Sequence, residues 1–363
     1  MQEIRPLTSL RGFAALAIVM QHFSISAQTL TPHWIPSLVP HGYMAVDFFF
    51  VLSGFIMSLT YLASFQAEGI RAFPAFLFKR VARIVPLNLF VLLMLMVLGL
   101  LSHVTIGRNI FFNHASLAFD LPANMLMLQG LGIGTNLNGP SWSISTEFAA
   151  YLLFPVFIMC VFNRWLSAAT LLLALGVVVE RAFRSPGLYL SNDSIQDQIL
   201  SCFTEFILGM GAYILYRHRR ENGKGSGDVE TGALYAGVAI GLLSGTDLID
   251  VLLFPFLIVS TALNRGVFSR WLSGGVPYFL GLVSFSIYLI HEPCRRLAVL
   301  IFTTAHPAPI SPLSALLFAL VGSLTVVPPA WLTYTWIERP GREALRRWAE
   351  IVARRRAAPR KLV

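Results

Sequence analysis

The sequence predicts an all-α fold: a polytopic membrane protein of about ten transmembrane helices with both termini in the cytoplasm. Three observations predict it. Of the 363 residues, 56% are hydrophobic and only 12% are charged, with a mean hydropathy of +0.68; a water-soluble domain carries about twice that share of charge. The apolar residues gather into runs near the ~20 residues needed to cross a hydrocarbon core. The lysines and arginines fall unevenly on the segments between those runs.

In chain order the runs are 12–31, 43–63, 85–103, 141–161, 166–183, 199–216, 230–246, 249–264, 276–299 and 312–337. The first follows a charged start, as a secretory signal would. Its apolar stretch continues past His22 toward Leu30 with no small-residue cleavage site, so it is expected to stay as a first span. The seventh and eighth are short, with a break between Ser244 and Asp250. With the N-terminus placed inside, 22 of the 27 lysines and arginines fall on inside segments. The five outside are Arg108, Arg181, Arg184, Arg295 and Arg296. This positive-inside bias supports an even number of spans. It also accounts for most of the net charge of +9 and so speaks against a nucleic-acid partner.

Residues 1–340 are expected to form one transmembrane domain and 341–363 a basic cytoplasmic tail suited to anionic lipid. The longest outside segment, Ser102 to Pro140, contains a helix expected over Leu117–Leu131 and ends in GIGTNLNGPS, a stretch able to line an entrance. The inside stretch RHRRENGKGSGDVE has linker composition, and its glycines lack P-loop spacing. Cys160, Cys202 and Cys294 lie scattered in apolar runs. They form neither a disulfide framework nor a metal motif, and no other metal cluster is expected.

An ionisable residue inside a span costs several kcal/mol and is a functional candidate by default. Arg11 and His22 lie eleven residues apart on the first span. Eleven steps of about 100° bring His22 to within roughly 20° of Arg11's face, about 16 Å deeper. A cation at the mouth and an imidazole beyond it suit an anionic donor with a long arm. Taken singly, Arg11 also reads as a snorkelling, topology-setting arginine and His22 as an interhelical hydrogen-bonding group. Asp47, in HGYMAVDFFFVLSGFIMS, serves either as a helix cap or to orient a histidine. In GPSWSISTEFAAYLLFP, Ser141 and Ser143 read as helix-start residues. Glu147 there reads as a carboxylate able to hold His22 in one tautomer, or as a structural bond to the loop. Arg80 and Arg83, in FKRVARIVPLN, share a face at the inner edge and suit phosphate groups, or serve as positive-inside anchors. His291 and Glu292, in SFSIYLIHEPCRRL, fall at the outer interface, without the second histidine of a metalloprotease. Glu205, in TEFILGMGAY, is an intramembrane acid without an assigned role. A histidine base with arginine clamps and no covalent nucleophile suits transfer of an acyl group from a thioester to a hydroxyl.

Nearly the whole chain resembles the acyltransferase-3 family of membrane acyltransferases. The resemblance is carried by LTSLRGFAALAIVMQHF, with Arg11 and His22 at the family's Arg-x10-His spacing, then VDFFFVLSGFIMS, FKRVARIVPLN, WSISTEFAAYLLFP, EFILGMGAY and SFSIYLIHEP, in that order. It implies ten core helices in a bacterial inner membrane and O-acylation, usually from acetyl-CoA as donor substrate, with no tightly bound cofactor. The acceptors it implies are a glycan, free or lipid-linked, or a small molecule. Carried over by position, Arg11 and His22 are the family's essential pair and Arg80 and Arg83 match its arginine motif. The chain is expected to be the stand-alone form without an SGNH-type domain.

The expected site therefore has acyl-CoA at Arg11, Arg80 and Arg83, His22 as general base, Glu147 or Asp47 as its orienter, and His291, Trp142 and Ser143 on the acceptor side. Three other readings stay open: a transporter or flippase for a lipid-linked glycan, a non-catalytic scaffold in polysaccharide assembly, and cytoplasmic-side acylation of a small molecule.

Overall fold

A computed structural model describes residues 3–107, 109–111, 116–184, 190, 194–306 and 309–357. Arg108 and the end of the expected tail, 358–363, lie outside them. The regular elements of the described residues are all helices, with no strand and a single isolated bridge between Ser226 and Asn264.

Helix α1, Arg5–Thr29, starts with Pro6 in its first turn, where a missing N–H costs nothing. Helix α2, Met44–Glu68, stops at Gly69, whose φ of 59° is open to glycine. One tight turn, Gly69–Ala72, leads into α3, Phe73–Ile106. The third span was expected to begin at 85; the helix begins twelve residues earlier. The segment FKRVARIV carries no helix breaker, and Pro86 leaves the helix continuous. Arg80 and Arg83 therefore ride on a helix and not in a loop.

The outer segment contains α4, Leu117–Met125, and then a separate turn at Gln129–Leu131 instead of one helix over Leu117–Leu131. Met127 breaks the helix with a φ of 58°. Helix α5, Ser141–Val161, has the bounds expected, but its N-cap is Pro140 and no side chain caps it. The Ser141 hydroxyl lies 2.8 Å from both Asn136 Oδ1 and the Asn138 carbonyl, so it is committed to the loop. Then follow α6 (Ser167–Arg184), α7 (Ile195–Glu221), α8 (Asp228–Ser244) and α9 (Asp247–Leu263). The break expected between Ser244 and Asp250 falls at Gly245 and Thr246. After the short α10, Val267–Leu272, comes α11, Gly275–Ala305.

The tenth expected span, 312–337, falls on α12 (Pro312–Thr325) and α13 (Val327–Thr333), which meet at Val326, with Pro328 and Pro329 in the first turn of α13. A wide turn over Tyr334–Glu338 runs into α14, Arg339–Ala357. The basic tail thus starts as a continuation of the bundle. Gly341 packs on Pro86, and Trp348 stacks on Phe78 with ring centroids 6.1 Å apart.

Among the described residues, five stretches are long and apolar enough to cross a membrane: Arg5–Thr29, Met44–Ile106, Ser141–Val161, Ile195–Glu221 and Pro312–Ile351. The other expected spans fall on shorter or more polar helices. Helices α8 and α9 have 17 residues each, α6 carries Glu180, Arg181 and Arg184, and α11 carries Glu292, Arg295 and Arg296. The protein is a membrane protein built of helices.

Helix α1 packs chiefly along α11, and α2 along α7. Small residues make both contacts close. A Cβ on Gly54 would sit 1.9 Å from the Phe206 carbonyl oxygen, and one on Gly281 2.1 Å from that of Thr8. In lipid, where no hydrophobic force drives helices together, such close backbone approach is a main source of association.

Candidate active site

The α1–α11 contact joins two residues that the sequence keeps 269 positions apart. His22 Nδ1 lies 2.9 Å from His291 Nε2. His291 is fully buried, whereas His22 is partly open. His291 Nδ1 in turn lies 2.6 Å from the Tyr288 carbonyl oxygen. A carbonyl only accepts, so His291 Nδ1 carries a proton, and Nε2 of the neutral ring is an acceptor. His22 Nδ1 must then donate, which leaves the lone pair of His22 on Nε2.

At the next position on α11, Glu292 accepts from Arg295 at 2.6 and 2.8 Å and from Arg296 at 2.7 Å. Arg295 reaches back to the Ser26 hydroxyl on α1, and Arg296 to the Phe111 carbonyl. Ligand atoms of His22, His291 and Glu292 all lie within 4.8 Å of one another. The two nitrogens are already bonded to each other, however, and the carboxylate is neutralised by two guanidinium groups. A divalent cation there would face both arginines.

Arg11, Arg80 and Arg83 line one cavity of about 280 Å³, together with Glu147, Ser143, Tyr151 and Tyr288. Glu147 is the acid in this lining and the buried Glu338 acts on Arg11 and Arg83 from nearby, so three guanidinium groups face two carboxylates and the cavity carries surplus positive charge. No ion pair closes on any of the three among the described residues. Arg80 Nη2 donates to the Tyr61 hydroxyl at 2.8 Å, while its Nε is buried with no partner. Arg83 lies over the Phe285 ring, 5.7 Å from its centroid. Such an arrangement favours an incoming anion with oxygens to accept forked N–H donors.

Tyr288 connects the two regions. Its hydroxyl lies 2.6 Å from Ser143 Oγ and its ring lines the cavity, while its carbonyl holds His291.

The structure brings the three arginines together and sets His22 against His291. It places neither expected orienter on His22. Glu147 accepts from the Tyr151 hydroxyl at 2.5 Å inside the arginine cavity. Asp47 is fully buried and accepts from Ser201 at 2.9 Å, where α2 meets α7; it caps nothing. Both sit on helices that turn these faces to α3 and α7, a relation no residue spacing reveals. His291, expected at the outer interface, is buried in the protein where α11 meets α1. Ser143 lines the cavity, and Trp142 packs edge-on to Phe50 with centroids 6.1 Å apart.

A family model described as an acyltransferase domain matches residues 7–335, nearly the whole chain. The chain belongs to that acyltransferase family. Acyltransferase MdmB of Streptomyces mycarofaciens is 28% identical over 311 residues, 78% of this chain and 77% of that protein. Peptidoglycan O-acetyltransferase OatA of Listeria monocytogenes is 24% identical over 173 residues, 46% of this chain. A putative O-acetyltransferase of Staphylococcus aureus is 26% identical over 170 residues, 44% of this chain. The aligned parts cover 26% and 25% of those last two proteins. No solved structure matches. The enzyme class expected from the sequence, an O-acyltransferase, stands.

In this acyltransferase the residues that sequence spacing missed are Tyr288, Tyr151 and the Glu292–Arg295–Arg296 cluster. A signal for the last was present: arginines three and four residues after a glutamate share its helix face. Tyr288 carried a weaker one, being one turn before His291.

Proposed function

We propose that this acyltransferase moves an acyl group, in the first instance acetyl, from acyl-CoA to a sugar hydroxyl of a surface or extracellular glycan. The observation that carries this is the hydrogen-bond order at His22, which leaves Nε2 of that partly open residue unprotonated, while Tyr288 joins its partner His291 to the wall of the cationic cavity. Nε2 takes the proton of the acceptor hydroxyl as its oxygen attacks the thioester carbonyl. The carbon–sulfur bond then breaks, and the coenzyme A thiolate leaves with the proton that His22 returns. His291 acts as the positioning residue, in place of a carboxylate.

Arg11, Arg80 and Arg83 hold the anionic donor. At about 280 Å³ the cavity is smaller than sites that enclose a whole ligand, so it takes one end of acyl-CoA. Nothing in this scheme calls for a tightly bound cofactor or a metal. The O-acetyltransferases among the relatives support acetyl, and the peptidoglycan enzyme supports a glycan acceptor. The distribution of arginine and lysine supports a multi-pass protein of the bacterial inner membrane with both termini in the cytoplasm.

Replacing His22 with Ala tests the scheme. Glycan O-acetylation, read by mass spectrometry of surface glycans from cells with and without the protein, should fall to background while the membrane yield of the variant stays unchanged. Acetylation retained at the wild-type level removes His22 as base. Movement of a lipid-linked glycan with no acyl-CoA consumed points instead to a flippase.

A further inference from the structure

The α2–α7 contact holds a polar group that acyl transfer does not use. Asp47 on α2 and Glu205 on α7 are both fully buried. Ser201, one turn before Glu205, stands between them, with Oγ 2.9 Å from Asp47 Oδ1 and 2.9 Å from Glu205 Oε1. The two carboxyl groups are also within hydrogen-bonding reach of each other. From α6, Arg181 donates to Ser201 Oγ at 3.1 Å and lies 3.8 Å from Glu205 Oε1.

The contacts need more hydrogens than the donors supply. Ser201 Oγ carries one proton and donates to one carboxyl group only. Its second contact is also oxygen to oxygen at 2.9 Å, and oxygens bonded at that separation share a hydrogen. Arg181's proton is already counted, so the missing one sits on a carboxyl group. The remaining oxygens, Asp47 Oδ2 and Glu205 Oε2, are buried with no donor. Ionised oxygens left bare there would carry a heavy desolvation cost.

We propose that Asp47 and Glu205 form a buried proton-binding site, loaded with one proton in this conformation. The packing gives that proton a consequence. Gly54 and Gly209 each bring α2 and α7 so close that a Cβ would meet the opposite carbonyl oxygen at 1.9 Å. Two ionised carboxylates at this contact would push the helices apart. Helix α2 also supplies Phe49, Phe50 and Ser53 to the arginine cavity, so loss of the proton loosens one of its walls. Among the described residues, the other charged groups facing the pair are Arg181, Asp197 beside it at 3.7 Å, and Asp247 on α9.

The test is infrared spectroscopy of the full-length protein in lipid nanodiscs at neutral pH, reading the carbonyl stretch of protonated carboxyl groups. It uses an Asp250→Asn background, because both oxygens of that acid are also buried without a donor. The expected result is one band that disappears in both Asp47→Asn and Glu205→Gln, since the amide supplies the missing hydrogen and the remaining acid ionises against Arg181. A band that survives either substitution, or none at all in the unsubstituted pair, overturns the site. Should both variants fail to fold, the parent protein decides. Its band should fade as pH is raised, with the unfolding temperature falling in step, and a band independent of pH counts against the proposal. His22 chemistry plays no part in this readout, so its outcome is separate from that of the acyl-transfer scheme.

Discussion

His22 keeps one ring nitrogen free because His291 occupies the other. The order of donors runs from His22 Nδ1 to His291 Nε2 and from His291 Nδ1 to the Tyr288 carbonyl. A helix carbonyl thus sets the tautomer of a residue on another helix. Replacing His291 with Ala removes that control and leaves the arginine cavity intact. The expected outcome is a kcat lower by roughly 10²- to 10³-fold with KM for acyl-CoA little changed, measured by steady-state transfer from labelled acyl-CoA. A raised KM at constant kcat would mean that His291 serves the donor site instead. The residue types at this site were legible in the sequence, since imidazoles and arginines are rare inside spans. Their partners were not. Glu147 and His22 are on separate helices, and only packing shows that Tyr151 claims the one and His291 the other.

At the scale of an element, the outer segment from α4 to α5 is built on side-chain bonds to its own backbone. Asn124 Nδ2 donates to the Asp120 and Thr135 carbonyls at 2.8 and 2.7 Å, and Asn138 Nδ2 donates to Leu289 on α11 at 3.0 Å. The Thr135 N–H donates to Asp120 Oδ1 at 2.7 Å and holds that carboxyl below the ordinary aspartate value of 3.8. A depressed acid stabilises the fold above its unfolded value, and the contribution is lost as pH falls through the folded one. Amide exchange over 130–137 should therefore quicken as pH drops below about 4, after correction for intrinsic rates. In Asp120→Asn the exchange should be fast already at neutral pH and insensitive to acid. Equal protection in both proteins would assign the order of this segment to other contacts. The sequence marked the segment as a polar lining and suggested a helix in it. It did not show the turn at Met127, because that φ is imposed by the buried loop, where Ser145 bonds to the Met127 carbonyl.

For the whole molecule, the charge distribution predicts one orientation in the membrane. In a variant lacking Cys160, Cys202 and Cys294, a cysteine at Ile133 in the outer segment should react with an impermeant maleimide in intact spheroplasts. One at Lys224, between α7 and α8, should react only after permeabilisation. Labelling of both from one side would overturn the orientation.

Composition, hydropathy and charge bias were enough for a helical membrane protein, since the bilayer filters sequences by apolar length and the inner face collects basic residues. Motif order was enough for the family, and it singled out the arginine and histidine of the candidate site. Tertiary structure alone decided which groups touch. Hydrogen bonds between helices depend on crossing angles and close approach, set here by Gly12, Gly54, Gly209 and Gly281 against neighbouring backbones. That packing put His291 on His22, collected three arginines from two helices around Glu147, and left Asp47 and Glu205 face to face.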